Sequence, residues 1–299
     1  METGSFPAPT PINRRWLVPG FLLTGVVAWG VHSVLLEVCK VPYPEQLPRA
    51  GLVPFLNYAV SVLALLVFCR LAAPRVSTLH AWQKCLGLGV LLVMLNETLR
   101  VIFIVGVITT AWAYSFVDIV QGAFAPFLLG ALAALVAPWT RRWWQQLAAA
   151  LLIAAAMFFG VRPLVAAAFQ PLLAAMAHLN HAPIYSNTSW QLNTAACVGI
   201  VEPTLASFVM VALVWPRLSG HPGWRAVQFA LLLTVINRVF FTAFYYPFFV
   251  RSLSVPLAML SAGQFTLEWL TLGLLTAVTW HLTRTGFLRK RLVGGVRGG

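Results

Sequence analysis

Acidic residues are scarce in this chain: seven Asp and Glu in 299 residues, against 20 Lys and Arg. Charged residues of both signs make up only 9%, where a soluble domain carries about 25%. So little charge excludes an ordinary water-facing surface. The four cysteines, Cys39, Cys69, Cys85 and Cys197, form no CxxC and no Cys/His metal spacing, which argues against zinc-ribbon and dithiol chemistry. His178 and His181 stand three residues apart without a third ligand nearby, so no metal and no other cofactor is expected. No Gly-rich phosphate loop, HExxH or GxSxG motif appears.

What the chain has instead is long apolar runs. Hydrophobic residues make up 60% and the mean hydropathy is +0.83. A spanning helix needs about 20 mostly apolar residues. Eight such segments stand out, near 16–36, 51–73, 85–110, 117–138, 144–169, 193–215, 225–247 and 255–282, separated by Pro, Gly and charge. The expected fold is all-α, a polytopic membrane bundle of about eight helices. Residues 1–283 form one transmembrane domain, and 284–299 a basic Gly/Arg-rich tail. The first run, from Trp16, is long enough to stay in the membrane rather than act as a cleaved signal.

Basic residues fall in alternate loops. Arg14, Arg15, Arg70, Arg75, Lys84, Arg141, Arg142, Arg217, Arg225 and the tail from Arg284 lie on one side, and only Lys40, Arg49 and Arg251 on the other. The positive-inside rule then puts both termini in the cytoplasm and makes the plasma (inner) membrane the expected location. The formal charge of +13 is scattered over short loops. It reads as topology signal and contact with anionic membrane lipids, not as a nucleic-acid surface. The loop 170–192, with no Lys, Arg, Asp or Glu, faces outward. Cys39 and Cys197 fall near that outer face, as a disulfide between them would require.

Ionisable groups inside apolar spans cost about 2.5–3.5 kcal/mol each on insertion scales and therefore face the bundle interior. Glu97, Arg100, Asp118, Arg162, Glu202, Arg238 and Glu268 are such groups, most of them toward the outer half. Glu97 and Arg100, three apart on one helix, suit a local ion pair that locks packing. Alternatively Glu97, Arg100, Asp118, Glu202, Asn237, Gln264 and Glu268 line a polar cavity for substrate.

Cys197 begins an apolar helix in the string Ala196-Cys197-Val198-Gly199-Ile200. A cysteine there is often only a small buried apolar residue. As a nucleophile it must be a thiolate, which a helix N-terminus and a nearby cation favour. Arg238, on the next apolar segment, suits that cation or an oxyanion partner. His178 and His181 in the preceding outer loop are the candidate bases.

At these residues the chain resembles the exosortase/archaeosortase family. Its members are eight-helix membrane proteins with a Cys-Gly-Ile-like motif at the outer end of a helix, an Asn/Arg motif in the next and a histidine after it. The resemblance covers about residues 190–245, through Ala196-Cys197-Val198-Gly199-Ile200 and Ile236-Asn237-Arg238-Val239-Phe240. It implies Cys197 as nucleophile and Arg238 as the arginine of a sortase-like cysteine protease or transpeptidase. Such an enzyme cleaves protein substrates that carry a C-terminal hydrophobic sorting helix, at the extracytoplasmic face. The chain departs from the pattern in two ways: Asn237 and Arg238 are adjacent, and Ser261, Gln264 and Glu268 stand where the downstream histidine belongs. Either His178 or His181 then takes its place, or the chain is a divergent or inactive relative. The competing readings are a transporter or lipid-handling protein that uses the intramembrane polar groups, and a structural subunit of a membrane complex.

Overall fold

The computed structural model describes residues 12–45, 51–98, 112–179 and 190–284, with backbone only for Arg14 and for 190–198. Those residues form helices, and no strand occurs among them. The helices are α1 (Arg14–Ser33, extended by a π-helical turn Val34–Val38), α2 (Leu52–Ala72), α3 (Ala81–Leu95), α4 (Trp112–Val136), α5 (Trp143–Ala155), α6 (Arg162–Ala175), α7 (Trp190–Val214), α8 (Pro222–Ile236), α9 (Val239–Tyr245) and α10 (Val255–Arg284). Among the described residues, five spans are long and apolar enough to cross a membrane, and six if the bent pair α8–α9 counts as one. The architecture is consistent with a multi-pass membrane protein.

Two expected spans are broken. The third, expected over 85–110, ends as α3 at Leu95. The seventh, expected over 225–247, splits into α8 and α9, bent by 69°. Both breaks have one cause. Asn96 and Asn237 cap their helices, each donating its side-chain amide to the carbonyl four residues back, Leu92 at 2.7 Å and Leu233 at 3.2 Å. The next residue turns left-handed, Glu97 at φ 53° and Arg238 at φ 66°. That conformation is the usual helix stop, normally filled by Gly, and it costs a side-chain-bearing residue about 1–2 kcal/mol. The fifth span, by contrast, continues: a wide π turn at Ala156–Val161 joins α5 to α6.

A break inside an apolar bundle frees carbonyls that no water can reach. Here α2 supplies the missing donors. Ser61 Oγ donates to Ile236 O at 2.6 Å, and Asn57 Nδ2 donates to Arg238 O at 2.9 Å. Thr242 Oγ1 also donates to Arg238 O, at 2.7 Å. From α10, Thr266 Oγ1 donates to Val239 O at 2.8 Å. The bend is therefore a built feature with hydrogen-bond partners on three helices.

Between apolar helices, attraction comes from close packing rather than from water exclusion, and small residues permit it. A Cβ on Gly130 of α4 would come within 2.8 Å of Gly89 N on α3. A Cβ on Gly25 of α1 would come within 2.8 Å of Ile200 Cγ2 and 3.0 Å of Thr204 Oγ1 on α7. Helix α7 also packs on α10, α3 and α2. Phe229, Leu233, Met210 and Val211 fill the centre with no measurable exposure. Asn13 N donates to Thr283 O at 3.1 Å, which ties the start of α1 to the end of α10.

Candidate functional site

The breaks sort the polar residues into two cavities. At 1.5 Å per residue, Asn96, Arg238, His32, Glu268 and Cys197 each lie about 22–27 Å along their helices from the basic ends. They stand at similar distances from those ends. Asn96 lines both cavities.

The first cavity, about 200 Å³, is lined by His32 of α1, Glu97, Asn237, and Phe265, Glu268 and Trp269 of α10. His32 is buried, and its Nδ1 lies 4.0 Å from Glu268 Oε2. The Phe265 ring lies 4.8 Å from the imidazole, and the Tyr43 ring stands edge-on at 6.2 Å. The loop bearing Tyr43 is held from α10: Ser261 Oγ donates to Pro42 O at 2.8 Å, and Gln264 Nε2 donates to the same oxygen at 3.4 Å. A narrow crevice leads from this cavity along Gly25, Ile200, Pro203 and Thr204, sharing Glu97, Glu268 and Trp269. Helix α7 thus borders the His32–Glu268 side of the bundle.

The second cavity, about 540 Å³, is lined from α2, α3, α4, α6 and the α8–α9 break, with Tyr58, Asn96, Asp118, Arg162 and Arg238 among its walls. Arg238 Nη2 donates to Asn96 Oδ1 at 3.2 Å. Both guanidiniums lie over the Tyr58 ring, Arg162 at 5.8 Å and Arg238 at 5.3 Å from its centre. No described residue of α7 lines this cavity.

The expected site residues fall into place unevenly. Glu97, Asn237 and Glu268 meet in the first cavity, Asp118 and Arg238 in the second. Glu202 is buried within α7 and lines neither. Gln264 is fully buried beneath the Tyr43 loop and serves as its anchor. His178 is exposed at the end of α6, with Nδ1 3.1 Å from Ala175 O, and lines neither cavity. His181, Arg100 and the side chain of Cys197 lie outside the described residues.

Glu97 is the left-handed residue that stops α3, and its expected pairing with Arg100 lies outside the described residues. Two expectations change. Cys197 lies seven residues inside α7, which starts at Trp190; the helix-terminal field falls off within the first turn. Arg238 reaches Asn96 and Tyr58 rather than a cavity bordered by α7. Cys39, Cys69 and Cys85 are free thiols. Reasoning from spacing gave no role to His32, Asn57, Ser61 or Tyr58. Their signal was available: a histidine and an Asn-x-x-x-Ser pair inside apolar helices.

Comparison with family models, with curated proteins and with solved structures found no match.

Proposed function

We propose that this chain is a multi-pass plasma-membrane thiol peptidase or transpeptidase of the exosortase/archaeosortase type. Eight spans with both termini in the cytoplasm put Cys197 toward the outer face. The reading rests on one observation, the register of α7 against α1. Gly25 abuts Thr204. His32 lies seven residues beyond Gly25, and Cys197 seven before Thr204. Seven residues are close to two turns, so each keeps the face of its reference residue. The chains run antiparallel, so both steps lead toward the same end of the bundle. Positions 32 and 197 thus come to one level on facing sides, with Glu268 beside His32.

A Cys–His pair backed by a carboxylate can perform acyl transfer. His32 takes the thiol proton as the Cys197 sulfur bonds the substrate carbonyl carbon. The carbon–nitrogen bond then breaks, and the leaving amine takes that proton from the imidazolium. Water or an acceptor amine next attacks the thioester, losing its proton through His32; the carbon–sulfur bond breaks and the thiol is restored. Glu268 orients the ring. His32 thereby fills the place of the missing downstream histidine, ahead of His178.

The test is co-expression with a protein that ends in a short motif, one hydrophobic helix and a basic tail. Processing is read by intact mass. Loss of processing in Cys197→Ser supports the reading, and unchanged processing overturns it.

A second reading has its own support. Broken helices that meet at a polar cavity are the architecture of substrate sites in transporters. In a transporter or lipid-handling protein, neutralising Arg238 or Glu97 harms function and Cys197→Ser does not.

A further inference from the structure

The second cavity holds charges that thiol chemistry does not use. Its charged walls are Arg162, Arg238 and Asp118. Arg238 makes no ion pair among the described residues. Among the described walls cations outnumber anions two to one, and a net charge among apolar helices is costly. Arg238 spends one donor on Asn96, and a guanidinium has five N–H groups in a rigid fork. Both guanidiniums lie within 6 Å of the Tyr58 ring centre, at 5.8 and 5.3 Å, and both line this cavity.

The geometry points to a binding site for a phosphate-type oxyanion between Arg162 and Arg238. Planar guanidiniums match phosphate oxygens in bidentate fashion and hold them by charge-assisted hydrogen bonds. Asn96 and Gln121 add neutral polar groups on the same walls. A cavity of about 540 Å³ is in the range of small-ligand sites. Leu65, Leu92, Leu129 and Phe158 line the remainder, which suits an apolar body attached to the anion. An adjoining cavity shares the walls of Tyr58, Phe158, Arg162 and Arg238 and reaches Asn57. Asn57 is 8% exposed, and its Oδ1 has no hydrogen-bond partner among the described residues. A buried acceptor of that kind takes a hydrogen bond from an occupant, such as the O–H of a protonated phosphate or a water.

The same chemistry belongs to a lipid headgroup and to a soluble phosphate, and the test separates them. The full chain, purified in phosphate-free detergent, is titrated with sodium phosphate and, separately, with dioctanoyl phosphatidic acid. Binding is followed by calorimetry and by the rise in unfolding temperature. At least one probe is expected to bind saturably. Response to phosphate identifies a solute site, and response to phosphatidic acid alone a lipid headgroup site. Arg162→Gln should weaken binding about tenfold or more, the loss of a charged hydrogen-bond partner. Asp118→Asn should tighten it by about threefold, because a like charge leaves the cavity. A merely structural role for these residues gives no gain in affinity. Absence of saturable binding by both probes overturns the site, as does an unchanged affinity in both variants. Cys197→Ser should bind as the parent chain does, so this site and the thiol chemistry stand or fall separately.

Discussion

Arg238 Nη2 donates to Asn96 Oδ1 across 3.2 Å, joining the two places where the bundle's helices stop short. The junction repeats one local structure. In α3 and in α8 an Asn caps the helix through its own side chain, and a charged residue follows in the left-handed conformation. The carbonyl ends of both helices carry partial negative charge, and the Arg238 guanidinium bridges from one break to the other. The bond also marks the boundary between the two cavities, since Asn96 faces both.

Backbone and side chain of Arg238 can be tested apart. Arg238→Gly suits φ 66° and should unfold at a temperature near that of the parent. Arg238→Ala keeps the conformational cost and should be less stable than the Gly variant by about 1 kcal/mol. Both lose the bridge to Asn96. Thermal unfolding in detergent ranks them, and an Ala variant as stable as the Gly variant would show that the turn is not held left-handed.

The all-helical architecture and the long apolar spans were legible because hydropathy alone carries them. The breaks were not. Asn96-Glu97 and Asn237-Arg238 lie inside continuous apolar runs, and neither contains Gly or Pro. Their stop signal depends on side-chain amides folding back on the helix and on donors from α2, which are distant in sequence. The likeness of the two strings was visible, but its meaning is conformational. For the site, polar residues inside apolar runs could be picked out, but not the cavity each lines: Asn237 lines the first and Arg238 the second, and both line the cavity that adjoins it.

Removing the donors from α2 should cost stability in proportion to the carbonyls they serve. Asn57→Leu takes a donor from Arg238 O and also breaks its contact with Thr242 Oγ1 at 3.2 Å. Ser61→Ala leaves Ile236 O unserved. Each buried loss should lower stability by about 1–3 kcal/mol. Urea or thermal unfolding in detergent measures it. A loss below about 0.5 kcal/mol in both would mean that the break finds other partners.

Coupling of His32 to Cys197 has a chemical readout that needs no substrate. In a variant with Cys39, Cys69 and Cys85 replaced by Ser, iodoacetamide reports on Cys197 alone. An imidazolium beside the sulfur stabilises the thiolate, so alkylation should rise with pH through a midpoint below the ordinary 8.5 or so of a free thiol. His32→Gln removes the cation and should move that midpoint upward, slowing alkylation at neutral pH. Glu268→Gln should shift it in the same direction by less, since the carboxylate acts through the ring. Identical profiles for the parent and the His32 variant would separate the two residues.

Gly25 sets the register on which that coupling depends. A leucine there meets Ile200 Cγ2 and Thr204 Oγ1, where even a Cβ is too close. Overpacking of this kind costs about 1–3 kcal/mol and pushes the helices apart. Gly25→Leu should therefore weaken the effect of His32 on the Cys197 alkylation profile, moving the midpoint toward that of His32→Gln. The phosphate-type site lies beyond α3 and takes no described wall from α1 or α7, so its affinity for the probe should stay within about twofold, as expected for sites that share no partners. Loss of phosphate binding together with the thiol effect would show that Gly25→Leu disturbs the whole bundle. An unchanged alkylation profile would show that α1 and α7 do not bring positions 32 and 197 together.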